Sequence, residues 1–264
     1  MIYRLDTFLE QEINPITGES YDESWIVLIL NNSTEYRQLC GSFNGCAYTV
    51  KLSCTMSENW MMDAGDFIDF NERHGKNTIL VMSEQALCAV RRAYKGHAYN
   101  DRFLRTYEPK VLVHSTPLAS WKSIKSDGML KSWNRLKKEG AVKERYPIGK
   151  LLGDPLDFSQ YVMFGSGVTG EIVVHAKQVG RIDMDVDITY QPGARLYFDA
   201  EKLARDGRLI RDGSHLKVKD MLPLDPYLIW VATAENIGLP DAVTTPRLFA
   251  DMADHLFKER YKVL

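Results

Sequence analysis

The chain has 264 residues, 45% of them hydrophobic, enough to build the core of one large domain or two modest ones. Lysine plus arginine number 33 against 35 acidic residues, a net charge of -2, so no global field draws the chain to nucleic acid or to a membrane surface, and any polyanion site must be local. No apolar run approaches the ~20 residues that span a bilayer, and the first residues lack a long apolar segment, so a cytoplasmic protein without a membrane partner is expected. Cys40, Cys46, Cys54 and Cys88 match no Cys-x-x-Cys spacing and read as buried free thiols, with no metal site implied.

In chain order, residues 1–22 read as a short helix or strand followed by a loop at Asn14-Pro15 and Gly18. Trp25–Leu30 is a compact apolar strand, Thr34–Leu39 a helical turn, and Ala47–Cys54 an alternating strand. Ser57 can cap a helix through Met62, and Asp63, Asp66, Asp69 and Glu72 follow at intervals of three, read as a solvated acidic face. Thr78–Met82 is another buried strand, and Ser83 caps a helix to about Tyr94. Strands alternating with helices make residues 1–105 a small α/β domain, bounded by the polar stretch Asn100–Lys110.

Residues 106–264 read differently. Val111–Val113 is a short β-branched strand that delivers His114, Ser115 and Thr116 at its end, groups that hydrogen-bond ribose hydroxyls or amides. Pro117 suits a first helical turn, Leu118, Trp121 and Ile124 share a helix face, and Asp127-Gly128 ends it. Lys131–Lys150 carries seven basic residues against two acidic, with Trp133 and Tyr146 interleaved, the composition of a groove for phosphates and stacked bases. Tyr161–Phe164 is a short strand broken by Gly165-Ser166-Gly167, and Glu171–Ala176 reads as a further strand. Ala194–Phe198 is a strand, and Asp199 caps a helix that stops at Gly207. Arg208–Ile210 and His215–Val218 flank a turn, Tyr227–Ala232 is the last strand, and Thr245-Pro246 opens a helix with Leu248, Phe249, Met252 and Leu256 on one face. That order predicts an α+β domain on two small sheets.

Residues 110 to about 235 resemble an ADP-ribosyltransferase fold, most like the DarT-type DNA-modifying enzymes, with the RNA 2'-phosphotransferases as a sister branch. The resemblance rests on His114-Ser-Thr116, on Asp127-Gly-Met-Leu130, on Trp133-Asn-Arg-Leu136, on Asp157-Phe-Ser-Gln-Tyr161-Val-Met-Phe164, and on His215-Leu-Lys-Val-Lys-Asp220-Met-Leu-Pro223. It implies a C-terminal split-sheet ADP-ribosyltransferase-like domain behind the small α/β domain, with NAD as substrate and DNA or RNA as acceptor. His114, Ser115 and Thr116 would hold NAD, Tyr161 would stack on nicotinamide, and Arg135 would pair with the diphosphate or the acceptor.

The family's base is a glutamate on the closing strand. His215 stands at that position, with Glu171 as a rival carboxylate, and Arg195 is a candidate phosphate ligand in the manner of the sister branch. Two alternatives remain: a 2'-phosphotransferase-like enzyme, and a non-catalytic module that binds a nucleotide or ADP-ribose end. On residues 1–105 the resemblance is silent; they could recognise a target or bind a partner protein.

Overall fold

A computed structural model describes residues 1–43, 45–165, 167–239 and 244–262, so Ser166 of the expected glycine break lies outside the described residues. The fold is α+β, with seven α-helices and several small sheets among those residues. Contacts divide the chain into two compact units: one of Met1–Asp101, Leu152–Phe158 and Ile210–Leu216, the other of Arg102–Leu151, Ser159–Leu209 and Lys217–Leu264. The first unit is therefore not one continuous stretch, and His215 belongs to it. No helix among the described residues is long and apolar enough to cross a membrane.

The first unit holds β1 (Ile2–Leu5), β2 (Trp25–Asn31), β3 (Gln38–Ser42), β4 (Tyr48–Ser53), α1 (Trp60–Arg73), β5 (Asn77–Val81) and α2 (Glu84–Ala93). Its sheet runs β1-β5-β2-β4-β3, parallel except for the edge strand β3. Trp25 to Leu28 and Thr78 to Val81 are buried without interruption, the pattern of strands covered on both faces. No helix forms over Thr34–Leu39, and β3 takes its last two residues: pairing from Gln38↔Leu52 to Ser42↔Tyr48 overrides the local preference. Ser83 caps α2 as expected, accepting from Ala86 N–H at 3.2 Å.

α1 begins later and runs further than Ser57–Met62, so it carries the acidic run. That face is not wholly solvated. Asp66 is buried and accepts from the Tyr94 hydroxyl at 2.8 Å, whereas Asp69 pairs with Arg73. Gly65 lets Tyr94 approach, since a Cβ there would lie 2.3 Å from its ring. The cysteines are free, but only Cys46 is buried; Cys40 and Cys88 are exposed, against the expectation of four buried thiols.

In the second unit the chain forms β6 (Val111–Thr116), α3 (Leu118–Asp127), β7 (Met129–Lys131), α4 (Trp133–Lys138), β8 (Tyr161–Phe164), α5 (Thr169–Val179), β9 (Ala194–Asp199) and α6 (Ala200–Arg205). After β10 (Ile210–Arg211), which lies in the first unit, come β11 (Leu216–Lys219), β12 (Met221–Pro223), β13 (Leu228–Thr233) and α7 (Pro246–Tyr261). An antiparallel sheet β13-β9-β6 is its centre; β12 pairs with β7, and β11 with β8. A core of Val174, Tyr190, Tyr197, Ala232, Phe249, Ala253 and Phe257 joins that sheet to α5 and α7.

Several local expectations change here. Residues 171–176 are helical, not a strand. The β-branched run Ile172-Val173-Val174 suggests a strand, but one face of α5 buries Glu171, Ile172, Val174 and His175, and Gly180 at φ 76° ends the helix. β6 continues through Thr116, so the polar triplet lies inside the strand and Pro117 is the N-cap of α3 rather than its first-turn residue. No residue of α3 is buried. On α7 the inner face is Phe249, Ala253 and Phe257, and Leu248 is exposed.

Candidate functional site

Side chains alternate along β6, and the alternation separates the His-Ser-Thr triplet. Ser115 lies opposite Arg195 of β9 in the ladder, and its hydroxyl donates to Glu171 Oε1 of α5. His114 turns to β8, where its Nδ1 lies 2.9 Å from the Met163 carbonyl. A carbonyl only accepts, so Nδ1 carries the proton and the neutral ring leaves Nε2 as a bare acceptor. Burial pushes the His114 pKa down to about 4, against the pull of that carbonyl, which keeps the ring neutral at pH 7. Thr116 is buried opposite Ala194, and Gly193 backs onto it so closely that a Cβ would stand 2.1 Å from the Thr116 carbonyl oxygen.

Glu171 is fully buried and both its oxygens are engaged: Oε1 by Ser115 and by Arg195 Nη1 at 3.1 Å, Oε2 by the Tyr190 hydroxyl. Arg195, itself 1% exposed, forks onto Asp254 of α7 through Nε and Nη2, each at 2.9 Å. Burial opposes the Arg195 charge, yet the hydrogen bond and attraction of Asp254 raise its pKa above the ordinary value. Tyr197 donates to the same Asp254 at 2.7 Å and stacks on Phe257 at 4.3 Å. Burial likewise raises the pKa of Tyr190, with the Glu171 charge adding to it. The rival base Glu171 and the candidate phosphate ligand Arg195 thus meet in one ion cluster tying β9 to α5 and α7.

Tyr161 opens β8 and is buried, with the Lys217 ammonium 4.4 Å from its ring centroid. Lys217 itself is fully buried. One face of the expected nicotinamide stacker therefore already carries a cation. In the basic segment the aromatic faces are also taken: Lys137 sits over Trp133 at 4.6 Å and Arg145 over Tyr146 at 5.0 Å.

Arg135 pairs with Glu139 at 2.7 Å, lies 3.8 Å from Asp220, and borders an open cavity of about 700 Å³. Asn134, Lys138, Gln160, Lys219 and Asp220 complete the lining. The three contributing segments fall within, or directly adjoin, Trp133–Leu136, Asp157–Phe164 and His215–Pro223.

His215 belongs to the first unit. Its N–H donates to Asp212 Oδ1 at 2.7 Å, and its ring meets Phe158 edge-on at 5.4 Å.

Asp254 and Tyr190 escaped sequence reasoning, Lys138 was read only as one of the basic run Lys131–Lys150, and Lys217 and Lys219 only as part of the closing-strand stretch. Asp254 had a usable signal, since it interrupts the inner face of α7 between Ala253 and Phe257; Lys219 had none, being one more charge on a short strand.

No family model, curated protein or solved structure matches this chain.

Proposed function

We propose that the second unit transfers ADP-ribose from NAD to an acceptor, with a nucleic acid as the acceptor class. The supporting observation is that members of each stretch behind the family resemblance meet inside the second unit, although Asp157, Phe158, His215 and Leu216 of those stretches belong to the first. His114 reaches the Met163 carbonyl of β8, Leu222 of β12 pairs opposite Leu130 of β7, and Asn134 Oδ1 accepts from the Ser159 hydroxyl at 2.9 Å. In the reaction the bond between ribose C1' and nicotinamide breaks, and nicotinamide leaves as a neutral molecule with the bonding pair. A lone pair of the acceptor forms the new bond at C1', and the acceptor's proton passes to water. His114 Nε2 is suited to accept from a ribose hydroxyl and so to hold the sugar while charge develops.

The test is incubation of the full chain with NAD and single-stranded DNA, duplex DNA or RNA. Free nicotinamide and added polymer mass are then measured together. Release with a mass gain of one ADP-ribose, lost in His114→Ala, is the expected result, and His215→Ala run alongside reports whether the first unit contributes. Absence of nicotinamide with every acceptor rejects the proposal.

A second reading, a module that binds a nucleotide without turnover, is favoured by Glu171: a carboxylate whose two oxygens hold Ser115, Tyr190 and Arg195 is not free to take a proton. The 2'-phosphotransferase reading loses its candidate arginine to the same cluster, because Arg195 is committed to Asp254 and Glu171.

A further inference from the structure

The open cavity of the second unit has its own chemistry, independent of NAD turnover. Arg135 and Lys138 come from α4, Gln160 precedes β8, and Lys219 with Asp220 lies at the end of β11, so three separate segments supply its wall. Lys138 and Lys219 are exposed and make no ion pair among the described residues. Three other cations of the basic segment are already engaged: Lys131 by Asp127 and Glu139, Arg135 by Glu139, Lys137 by the Trp133 ring. Two uncommitted lysines therefore line one space on a chain whose net charge is -2.

The remaining groups of the wall are neither apolar nor all cationic. Asn134 has its carbonyl oxygen on Ser159, which leaves its amide N–H groups to donate. Gln160 adds a second amide.

Asp220 is the one carboxylate, and its backbone is held at φ 60°, a left-handed conformation uncommon for a residue with a side chain. Two hydrogen bonds keep it there, Asp220 N–H to the Gln160 carbonyl at 2.8 Å and Ser132 N–H to the Asp220 carbonyl at 2.7 Å. Such a held backbone fixes the direction in which the Asp220 side chain leaves the chain. A wall for inorganic anions alone needs no carboxylate. Cations, two amides and one carboxylate acceptor together suit a ligand that carries an anion at one end and hydrogen-bond donors at the other.

We infer that this cavity binds a nucleotide phosphate. The phosphate lies between Lys138 and Lys219 with Arg135 beside them, and Asp220 accepts from a sugar hydroxyl or base amine within reach of Asn134 and Gln160. The same chemistry is offered by a free nucleotide and by the phosphorylated end of a single strand.

The full chain is titrated calorimetrically with 5'-AMP, adenosine, and a short single-stranded oligonucleotide with and without a 5'-phosphate. The proteins are wild type, the double variant Lys138→Ala/Lys219→Ala, and Lys258→Ala as a control on α7; a thermal melt of each checks folding. The expected result is that removing the phosphate weakens binding by about tenfold or more, as loss of charge-assisted hydrogen bonds does, that the double variant shows the same loss, and that Lys258→Ala binds as wild type. Tighter binding of the phosphorylated strand than of 5'-AMP identifies a polymer end, the reverse a free nucleotide, and both support the site. Equal affinity of adenosine and 5'-AMP, an unaffected folded double variant, or no binding of any probe overturns it. Nicotinamide release is read separately, so loss of the cavity proposal leaves NAD turnover standing, and nucleotide binding without turnover does the converse.

Discussion

The second unit contains two groups of charged side chains that look alike in sequence and differ in every physical respect. Around Arg195 the charges are mutually paired, with Arg195 and Glu171 buried and Asp254 partly so: the guanidinium forks onto Asp254, and Glu171 holds three donors. Around the open cavity, Lys138 and Lys219 are exposed and uncommitted, with only Arg135 partly neutralised by Glu139 and Asp220. A buried, mutually paired cluster holds a fold together and offers a ligand no open face, whereas an open one contributes little to stability and is free to bind. The contrast assigns structure to Glu171 and Arg195, and recognition to Lys138 and Lys219.

The contrast is most exposed at Arg195. Arg195→Ala leaves Glu171 and Asp254 without their counter-ion, Glu171 in a fully buried position, and an expected loss of about 3–5 kcal/mol in urea unfolding. A loss near zero erases the distinction between the two groups.

A smaller effect comes from pH. His114 has its pKa lowered from 6.5 to about 4 in the folded chain, so the unfolded state takes up the proton first as pH falls. Stability from this residue is complete above pH 6.5 and is lost toward pH 4, amounting to about 2 kcal/mol between pH 7.5 and 5. Unfolding curves at those two pH values are expected to differ less by that amount in His114→Gln than in wild type.

Gly193→Ala places a Cβ against the Thr116 carbonyl, backbone that cannot swing away, and is expected to cost about 1–3 kcal/mol in the same assay. Smallest of all, Lys138→Ala and Lys219→Ala are each expected to change stability by no more than about 0.5 kcal/mol, as exposed unpaired residues do. A larger loss at either lysine makes it a structural residue and removes it from the recognition group.

Much of the fold was legible because local signals and packing agree. Ser83, Asp199 and Thr245 each cap the helix their side chain announces, and Gly128 ends α3 at φ 65°. α5 was not legible, because Ile172-Val173-Val174 carries strand propensity and only tertiary burial of a helical face decides against it. β3 failed for the related reason that an edge strand is defined by its neighbour β4, not by its own residues.

The candidate site was legible in residue type but not in direction. His114, Ser115 and Thr116 are adjacent in sequence, but the alternation of β6 sends Ser115 to Glu171 and His114 to Met163. Glu171 and Arg195 gave no sign of each other, since their meeting depends on how α5 packs over the sheet.

The most direct test of the proposed activity is a single nicotinamide-release assay comparing wild type with His114→Ala, in the presence of NAD and a mixture of DNA and RNA acceptors. Release by wild type and its loss in a folded His114→Ala is the outcome expected for a ring that presents Nε2 to the ribose. Equal release by the two proteins contradicts that role for His114, and no release by wild type contradicts NAD consumption itself.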